Sequence, residues 1–186
     1  MKIGILALQG AFVEHAKMLS SLGVEVQEIR KRTHFTDDLD GLILPGGEST
    51  AQGKLLRDEG LFEPIKTAIE GGMPVFGTCA GMILLAKKLS NDDKVHFGLL
   101  DVSVRRNAYG RQLGSFSCEL DFKGVGPYPA VFIRAPYVEE TGKDVEVLAE
   151  KGGHIVAVRQ RNMLATAFHP ELTSDTRIHE YFLKMI

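Results

Sequence analysis

Hydrophobic and polar positions in the first part of the chain alternate between two periodicities. Residues 2–8 are almost continuously apolar, which is typical of a strand covered on both faces. Residues 11–22 then carry apolar side chains at helical spacing, and residues 24–29 alternate with a period of two. A strand, a helix and a second strand in this order predict a right-handed crossover between two parallel strands.

The same succession of strands and helices continues after the crossover. Residues 41–44 are a third apolar run, which leads through a glycine-containing loop into a helix that carries Leu55 and Leu56. A further helix is predicted over residues 61–70, and residues 75–76 predict a fourth strand. This order predicts a three-layer α/β fold with a mostly parallel, flavodoxin-like central sheet, whose ligands bind beyond the carboxyl ends of the strands.

The second half of the chain has a different pattern. Short alternating segments, separated by glycine and proline, predict antiparallel strands that extend or flank the parallel sheet. These segments are residues 100–104, 115–122, 130–133, 145–149, 154–159 and 164–167. A last helix is predicted from about 174 to 185. Because we find no repeat, low-complexity tract or linker, we expect one domain over residues 1–186.

Composition and charge narrow the classes of function. A hydrophobic content of 44% and a charged content of 25% are those of an ordinary soluble globular protein. The net charge of −2, without a run of like charges, gives no reason to expect nucleic acid or a membrane as partner. The apolar run at the start is too short for a signal peptide. Two cysteines without metal-type spacing predict free thiols in a reducing cytoplasm, with no metal or cofactor.

One stretch, residues 77–81, carries the clearest chemical signal. It reads Gly-Thr-Cys-Ala-Gly, with Cys79 between an apolar strand and a helix predicted to end near Leu89. This is the pattern of a nucleophile elbow, in which sulfur takes the place of the hydroxyl. A sharp strand-to-helix turn needs neighbours without side chains, and the start of a helix favours a thiolate. We therefore predict that Cys79 is a nucleophile; the alternative is a buried cysteine in an ordinary turn.

A cysteine nucleophile needs a base, and His169 has the best context for that role. It follows the apolar segment 164–168 and precedes Pro170, which favours an extended backbone at the histidine. Glu171 lies two residues further on and can reach the imidazole from an extended segment. Cys79, His169 and Glu171 then form a triad of nucleophile, base and orienting acid. Without the cysteine motif, His-Pro-Glu would fit a turn with a surface carboxylate equally well.

The remaining histidines and the second cysteine have weaker contexts. We expect four histidines to be solvated: His15, His34, His154 and His179. His96 lies in a loop and has no evident partner. Cys118 lies in an alternating segment and is expected to be a packing position of a strand.

Acyl transfer also needs donors for an oxyanion. The backbone N–H of Ala80, directly after the nucleophile, is one candidate. The loop at Gly46 and Gly47 is the best second candidate, because glycines allow a backbone N–H to approach a substrate. A phosphate-binding loop is the alternative. No Lys-Ser/Thr follows at the required spacing, and Glu48 would repel phosphate.

Together these motifs resemble a known family. The cysteine and His-Pro-Glu blocks resemble those of the class I, triad-type glutamine amidotransferases, which have the α/β fold predicted above. More narrowly, five blocks resemble the glutaminase subunits of two-protein pyridoxal 5′-phosphate synthases. They are Leu8-Gln9-Gly10 with Glu14-His15, residues 45–50, residues 106–112, residues 132–136 and residues 168–173. The blocks follow one another over nearly the whole chain.

The resemblance implies hydrolysis of L-glutamine to glutamate and ammonia through a thioester on Cys79. His169 would protonate the departing ammonia and activate water, while Glu171 holds the imidazole. The resemblance also implies six residues around the substrate: Gly46, Gly47, Glu48, Arg106, Ile133 and Arg134. An arginine there makes physical sense, since a guanidinium can bind the α-carboxylate of glutamine. Without the resemblance, Arg106 and Arg134 would be taken for ordinary surface arginines.

A synthase partner is implied as well. Ammonia in neutral water is mostly ammonium, so the class passes it directly to a second protein, here one that resembles a (β/α)8-barrel synthase subunit. The resemblance suggests that this partner activates the glutaminase, with a contact near Gln9 and Gly10. Two departures from the family pattern are visible, Ala51-Gln52 and Arg105. The second leaves open whether Arg105 or Arg106 binds the carboxylate.

Three other functions stay open at this point. The chain could be the glutaminase subunit of another amidotransferase. It could be a redox or stress sensor in which Cys79 is oxidised, or a regulatory subunit that only binds a ligand. The His169–Glu171 pair favours an enzyme, because a sensor has no need of a positioned base and acid.

Overall fold

A computed structural model describes residues 1–108 and 114–186. Most strands and helices of the first half form where the hydrophobic periodicity predicts them. The helices are α1 (Phe12–Ser21), α2 (Ser49–Asp58), α3 (Phe62–Glu70), α4 (Ala80–Leu85) and α5 (Arg177–Leu183). The strands of the first half are β1 (Lys2–Leu6), β2 (Glu25–Ile29), β3 (Gly41–Leu44), β4 (Val75–Thr78) and β5 (Ala86–Leu89). Those that follow are β6 (Leu100–Arg105), β7 (Ser115–Phe122), β8 (Gly126–Ile133), β9 (Tyr137–Thr141), β10 (Glu146–Lys151), β11 (His154–Gln160) and β12 (Met163–Thr166). Short 3₁₀ turns cover Arg32–His34 and Pro170–Leu172.

One large sheet organises the described part of the chain. Its order is β2-β1-β3-β4-β12-β11-β9-β6-β5, with β10 paired to β11. The strands from β2 to β12 in this order are parallel to their neighbours. Along the series β12, β11, β9 and β6 each strand is antiparallel to the next, whereas β6 and β5 are parallel. Strands β7 and β8 form a separate antiparallel pair. The predicted fold class, a mostly parallel sheet with added antiparallel strands, is confirmed.

The middle strands of the sheet explain the continuous apolar runs of the sequence. Strands β3, β4 and β12 are buried along their whole lengths. A strand covered on both faces has no solvent side, so its residues are apolar throughout instead of alternating. None of the described helices is long and apolar enough to cross a membrane.

Several element boundaries differ from the sequence prediction. The helix after Cys79 ends at Leu85 rather than near Leu89, because residues 86–89 pair with β6 as a further strand. Strand β9 was not predicted, since its last three residues are exposed and its alternation is weak. Strand β8 begins at Gly126 and includes two prolines, which an edge position in a two-stranded sheet tolerates. The last helix is shorter than predicted.

The sheet topology brings the candidate catalytic segments together. Strands β4 and β12 are adjacent and parallel, with Thr78 opposite Thr166. Cys79 follows the first of these strands and His169 follows the second, so both lie at one edge of the sheet. The loops after β1 and β3 leave the sheet at the same edge, because those strands are parallel to β4 as well.

Candidate active site

Cys79 lies in a strained turn between β4 and α4. Its backbone has φ 50° and ψ −101°, a conformation that side-chain-bearing residues rarely adopt. A Cβ on Gly77 would lie 2.6 Å from the carbonyl carbon of Gly81, and a Cβ on Gly81 would lie 2.0 Å from the carbonyl oxygen of Leu44. Both flanking glycines are therefore required by close packing. The turn has the geometry that the sequence motif predicts for an elbow.

His169 and Glu171 form a buried pair next to the elbow. The distance from His169 Nδ1 to Glu171 Oε1 is 2.6 Å, and the Glu171 side chain is fully buried. The backbone N–H of His169 donates to the carbonyl of Val131, which anchors the segment to β8. The sequence predicts that Glu171 reaches the imidazole along an extended segment. In the structure it does so across the 3₁₀ turn Pro170–Leu172. The spacing of two residues is right, but the local geometry differs.

The electrostatics of His169 are set by its neighbours. Burial lowers its pKa, while hydrogen bonds with the side chains of Cys79 and Glu171 raise it, and the net result is a pKa of about 10. An imidazole with this pKa is protonated at neutral pH. The arrangement therefore places a positively charged imidazolium beside Cys79, which is the kind of surrounding that activates a cysteine nucleophile.

The glycine loop after β3 packs directly against the base. A Cβ on Gly46 would lie 2.3 Å from Cε1 of His169, and a Cβ on Gly47 would lie 2.3 Å from Oε1 of Gln9. Gly47 also has φ +156°. The side chain of Gln9 accepts a hydrogen bond of 2.8 Å from the backbone N–H of Glu48. This loop therefore packs its backbone directly against the His169 and Gln9 side chains, with no room for a Cβ at either glycine.

A cleft of about 330 Å³ collects most of the predicted site residues. Its lining includes Gly46, Gly47, Glu48, Cys79, Arg106, Ile133, Arg134 and His169, together with Gln9 and Leu172. Glu171 is buried behind His169, and Ala80 is buried at the start of α4. A larger hollow of about 510 Å³ beside α2 contains no triad residue. We therefore take the smaller cleft as the candidate active site, on the basis of its chemistry.

The two arginines that the sequence could not separate have different positions. Arg106 lines the cleft, and its guanidinium is paired with Glu48 at 3.3 Å and with Asp92. Arg105 pairs instead with Glu139 on β9 at 3.4 Å. Of the two, Arg106 is placed where it can meet a substrate carboxylate.

Glu48 has a second role that the sequence reasoning did not include. Its carboxylate accepts hydrogen bonds from the backbone N–H groups of Thr50 and Ala51 at 3.0 and 2.7 Å, and so caps α2. Burial raises the pKa of Glu48, but these hydrogen bonds and the nearby Arg106 lower it more. Glu48 is therefore a charged group at the rim of the cleft.

Strained backbone also occurs opposite the elbow. Arg134 has φ 41° and Asn107 has φ 47°, and both residues line the cleft. The Sγ atom of Cys79 is 4.0 Å from the carbonyl oxygen of Ile133. Such conformations persist where the surroundings fix them, frequently at ligand sites. The rest of the sequence block that begins at Arg106 includes residues 109–112, which lie outside the described residues.

Two of the expected solvated histidines are in fact buried. His15 and His179 have no exposed surface, and the distance from His15 Nδ1 to His179 Nε2 is 2.9 Å. The prediction of solvated positions was wrong for both. Helical spacing could have found them: His15 shares the buried face of α1 with Met18 and Leu19.

The other weak candidates lie away from the triad. The ring of His154 stacks on that of Tyr137 with centroids 4.0 Å apart. His96 is buried against Gly53, where an added Cβ would lie 2.2 Å from its Nδ1. His34 is partly exposed in a 3₁₀ turn, and Cys118 is half-buried on β7.

Comparison with known proteins places this geometry in a family. A model of the SNO glutamine amidotransferase family matches residues 5–186. The chain is similar to the pyridoxal 5′-phosphate synthase subunit PdxT of Streptococcus pneumoniae, with 58% identity over all of this chain and 97% of the relative. It is also similar to PdxT of Bifidobacterium longum, with 60% identity over 98% of this chain and 99% of the relative. A crystal structure of a glutamine amidotransferase, 48% identical, superposes with a TM-score of 0.93 over 98% of this chain and 97% of its own.

Proposed function

The chain belongs to the SNO glutamine amidotransferase family, and we propose that it acts as the glutaminase subunit of a pyridoxal 5′-phosphate synthase. It hydrolyses L-glutamine to L-glutamate and ammonia, with residues 1–186 as one amidotransferase domain. The observation that carries the proposal is the grouping of the three residues at one cleft. Cys79 lies at a strained elbow and lines the cleft together with His169, and Oε1 of the buried Glu171 is 2.6 Å from Nδ1 of His169.

The first half of the reaction transfers the glutamyl group to sulfur. The Cys79 thiolate attacks the carboxamide carbon, and the carbonyl oxygen becomes an oxyanion that faces the backbone N–H groups of Ala80 and Gly47. The His169 imidazolium donates its proton to the nitrogen as the C–N bond breaks. Ammonia leaves, and a glutamyl thioester remains on Cys79.

The second half releases glutamate. His169, now neutral, accepts a proton from a water molecule as the water oxygen attacks the thioester carbon. The C–S bond breaks and restores the thiolate, which again pairs with the imidazolium. Glu171 keeps the imidazole oriented in both steps and stabilises its positive charge.

Substrate recognition uses the charged rim of the cleft. The α-carboxylate of glutamine binds Arg106, and the α-ammonium group is placed near Glu48. In the structure these two side chains pair with each other at 3.3 Å, so each gains a substrate partner when the pair opens. Ile133 and Arg134 form the opposite wall.

The ammonia product implies a receiving protein. Ammonia released into neutral water would be protonated and lose its nucleophilicity, so direct transfer to a (β/α)8-barrel synthase subunit preserves its reactivity. The relatives named as synthase subunits support this assignment.

The free thiols of Cys79 and Cys118 support a reducing cytoplasm as the location.

Glutamate release with and without a pyridoxal 5′-phosphate synthase partner tests the proposal. We expect release to be low for the subunit alone and to rise with the partner. Cys79→Ala should lower it by several orders of magnitude, as loss of an acyl-transfer nucleophile does. Cys118→Ser is the matched control and should leave the rate near that of the unsubstituted protein. Undiminished glutamate release by Cys79→Ala would contradict the proposed mechanism.

A further inference from the structure

A row of buried polar side chains continues behind the triad. Glu171 uses Oε1 for His169, whereas its buried Oε2 has no hydrogen bond and lies 3.5 Å from Nε2 of His15. The same Nε2 is 3.1 Å from the hydroxyl of Thr78, the residue before Cys79. On its other side, His15 Nδ1 is 2.9 Å from Nε2 of His179. The side chains of His15 and Glu171 are fully buried.

The hydrogen-bonding pattern selects one tautomer of His15. With its proton on Nδ1, the ring would turn the lone pair of Nε2 toward the Glu171 carboxylate and leave Oε2 without a donor. With its proton on Nε2, the ring donates to the hydroxyl of Thr78 at 3.1 Å and turns the same N–H toward Oε2 of Glu171, which is 3.5 Å away. Nδ1 then accepts from the Nε2–H of His179. The only unpaired group of the row is then a lone pair on His179 Nδ1, and burying it without a partner costs less free energy than burying an unpaired carboxylate oxygen.

The charges around this row agree with that arrangement. Burial lowers the pKa of His15 well below its ordinary value, and His179 and His169 lower it further. Burial lowers the pKa of His179 to about 4. Both rings are therefore neutral at physiological pH. The groups that face His15 are His179 on α5, Glu171 and His169 in the segment after β12, and the hydroxyl of Thr78 on β4.

We propose that His15 is a positioning residue of the catalytic site, which holds Oε2 of Glu171 so that Oε1 stays aimed at His169. His179 acts one step further back and fixes the tautomer of His15. The inference rests on the proposed function, since it extends the triad of that reaction. It gives a role to two buried histidines on separate helices, α1 and α5, that the hydrolytic steps do not use.

Two substitutions at His15 separate positioning from packing. His15→Leu fills the space without a donor, whereas His15→Gln keeps an amide N–H near the place of Nε2. With the synthase partner present, we expect His15→Leu to lower kcat for glutamate release about tenfold, the loss expected for one hydrogen bond to a charged group. KM should be unchanged, because His15 does not touch the substrate. His15→Gln should restore most of kcat.

A matched control excludes general destabilisation. Leu19→Ala removes a fully buried side chain from the same helix without touching Glu171, so kcat of the folded enzyme should stay within about twofold of the unsubstituted value. If His15→Leu is too unstable to purify, His15→Asn takes its place, since its shorter amide falls short of Oε2. A kcat of His15→Leu equal to that of the unsubstituted enzyme would overturn the inference. So would an equal loss in Leu19→Ala, or a loss that appears in KM alone.

A second measurement does not depend on glutamine. In a Cys118→Ser background, the rate of alkylation of Cys79 by iodoacetamide at pH 6 reports the thiolate held by His169. We expect the rate to fall about tenfold in His15→Leu and to recover in His15→Gln. If the protein releases no glutamate while alkylation follows this pattern, the proposed function fails and the positioning role stands. If glutamate is released and alkylation is indifferent to His15, the positioning role fails alone.

Discussion

The proton of His169 is held by partners on two sides, and its loss should set the alkaline limit of activity. Burial lowers the pKa of His169, but Cys79 and Glu171 raise it to about 10. In the proposed reaction, this imidazolium supplies the proton that leaves with ammonia. We therefore expect kcat/KM for glutamine, measured against pH, to fall as the pH rises through about 10. In Glu171→Gln, one of the two side chains that raise the pKa of His169 is neutral. The fall of kcat/KM at alkaline pH should therefore occur at a lower pH in this variant.

The raised pKa of His169 also makes the stability of the folded protein depend on pH. The pKa of His169 in the folded protein, about 10, lies above the ordinary value of 6.5. Its contribution to stability is then fully present below pH 6.5 and is lost as the pH rises toward 10. The difference in unfolding free energy between the unsubstituted protein and Glu171→Gln should shrink over this range. An alkaline limb that stays in place in Glu171→Gln would contradict the role given to the carboxylate.

Arg106 and Arg105 offer a comparison between adjacent residues. Arg106 lines the cleft and Arg105 pairs with Glu139 on a neighbouring strand. We expect Arg106→Ala to raise KM for glutamine at least about tenfold, the value of one charged hydrogen bond, with a small effect on kcat. Arg105→Ala should leave both constants within about twofold, since exposed ion pairs contribute little. Steady-state kinetics decides, and the reverse ranking would move the carboxylate site to Arg105.

At the scale of single residues, the sequence predicts what is encoded locally. Cys79 stands between two glycines, and His169 stands two residues before Glu171, so each motif carries its own geometry. The contact of Gln9 with the backbone of Glu48 spans 39 positions, and that of Arg106 with Glu48 spans 58. No local pattern records such distances. They follow only once the strands are paired.

Helix α2 connects two loops of the cleft through one side chain. The amide of Gln52 donates to the carbonyl oxygens of Gln9 and Pro45 at 3.0 and 3.1 Å, and the residue is fully buried. Gln52→Leu leaves both carbonyls without this donor and should lower the free energy of unfolding by about 1–3 kcal/mol. We also expect kcat to fall, because the glycine loop after β3 loses its support.

Denaturant unfolding measures this effect. Lys54→Ala is the matched control, since Lys54 lies on the same helix with its side chain 76% exposed. Its free energy of unfolding should stay within about 0.5 kcal/mol of the unsubstituted value. Equal stabilities of Gln52→Leu and the control would show that the buried amide does not hold the loops.

Elements with a strong period were predictable, and elements that depend on a partner strand were not. Strands β3, β4 and β12 are apolar because the sheet covers both of their faces. Strand β5 follows α4 without a break, and its exposed lysines gave no strand pattern. His15 and His179 were misjudged because polar residues on helices were expected at the surface. Their spacing from apolar neighbours carried the better information.

At the scale of the molecule, the site is a product of strand order. Parallel neighbours β1, β3, β4 and β12 end at one edge, so loops that are far apart in the chain meet there. The general place of the site followed from the βαβ pattern alone. The contribution of β8 did not, because that strand belongs to a separate pair, and its placement next to Cys79 comes from packing.

The proposed assignment of ammonia production and ammonia use to two different chains leads to a prediction about the whole complex. If this chain only supplies ammonia, the chemistry that consumes it belongs to the synthase partner. In a complex that contains Cys79→Ala, formation of pyridoxal 5′-phosphate from glutamine should fall by several orders of magnitude. Formation from added ammonium chloride should persist, and should increase with pH as the fraction of free ammonia grows. The complex with Cys118→Ser should use both nitrogen sources. Loss of both activities in Cys79→Ala would mean that Cys79 also serves the synthase reaction, contrary to the proposed division.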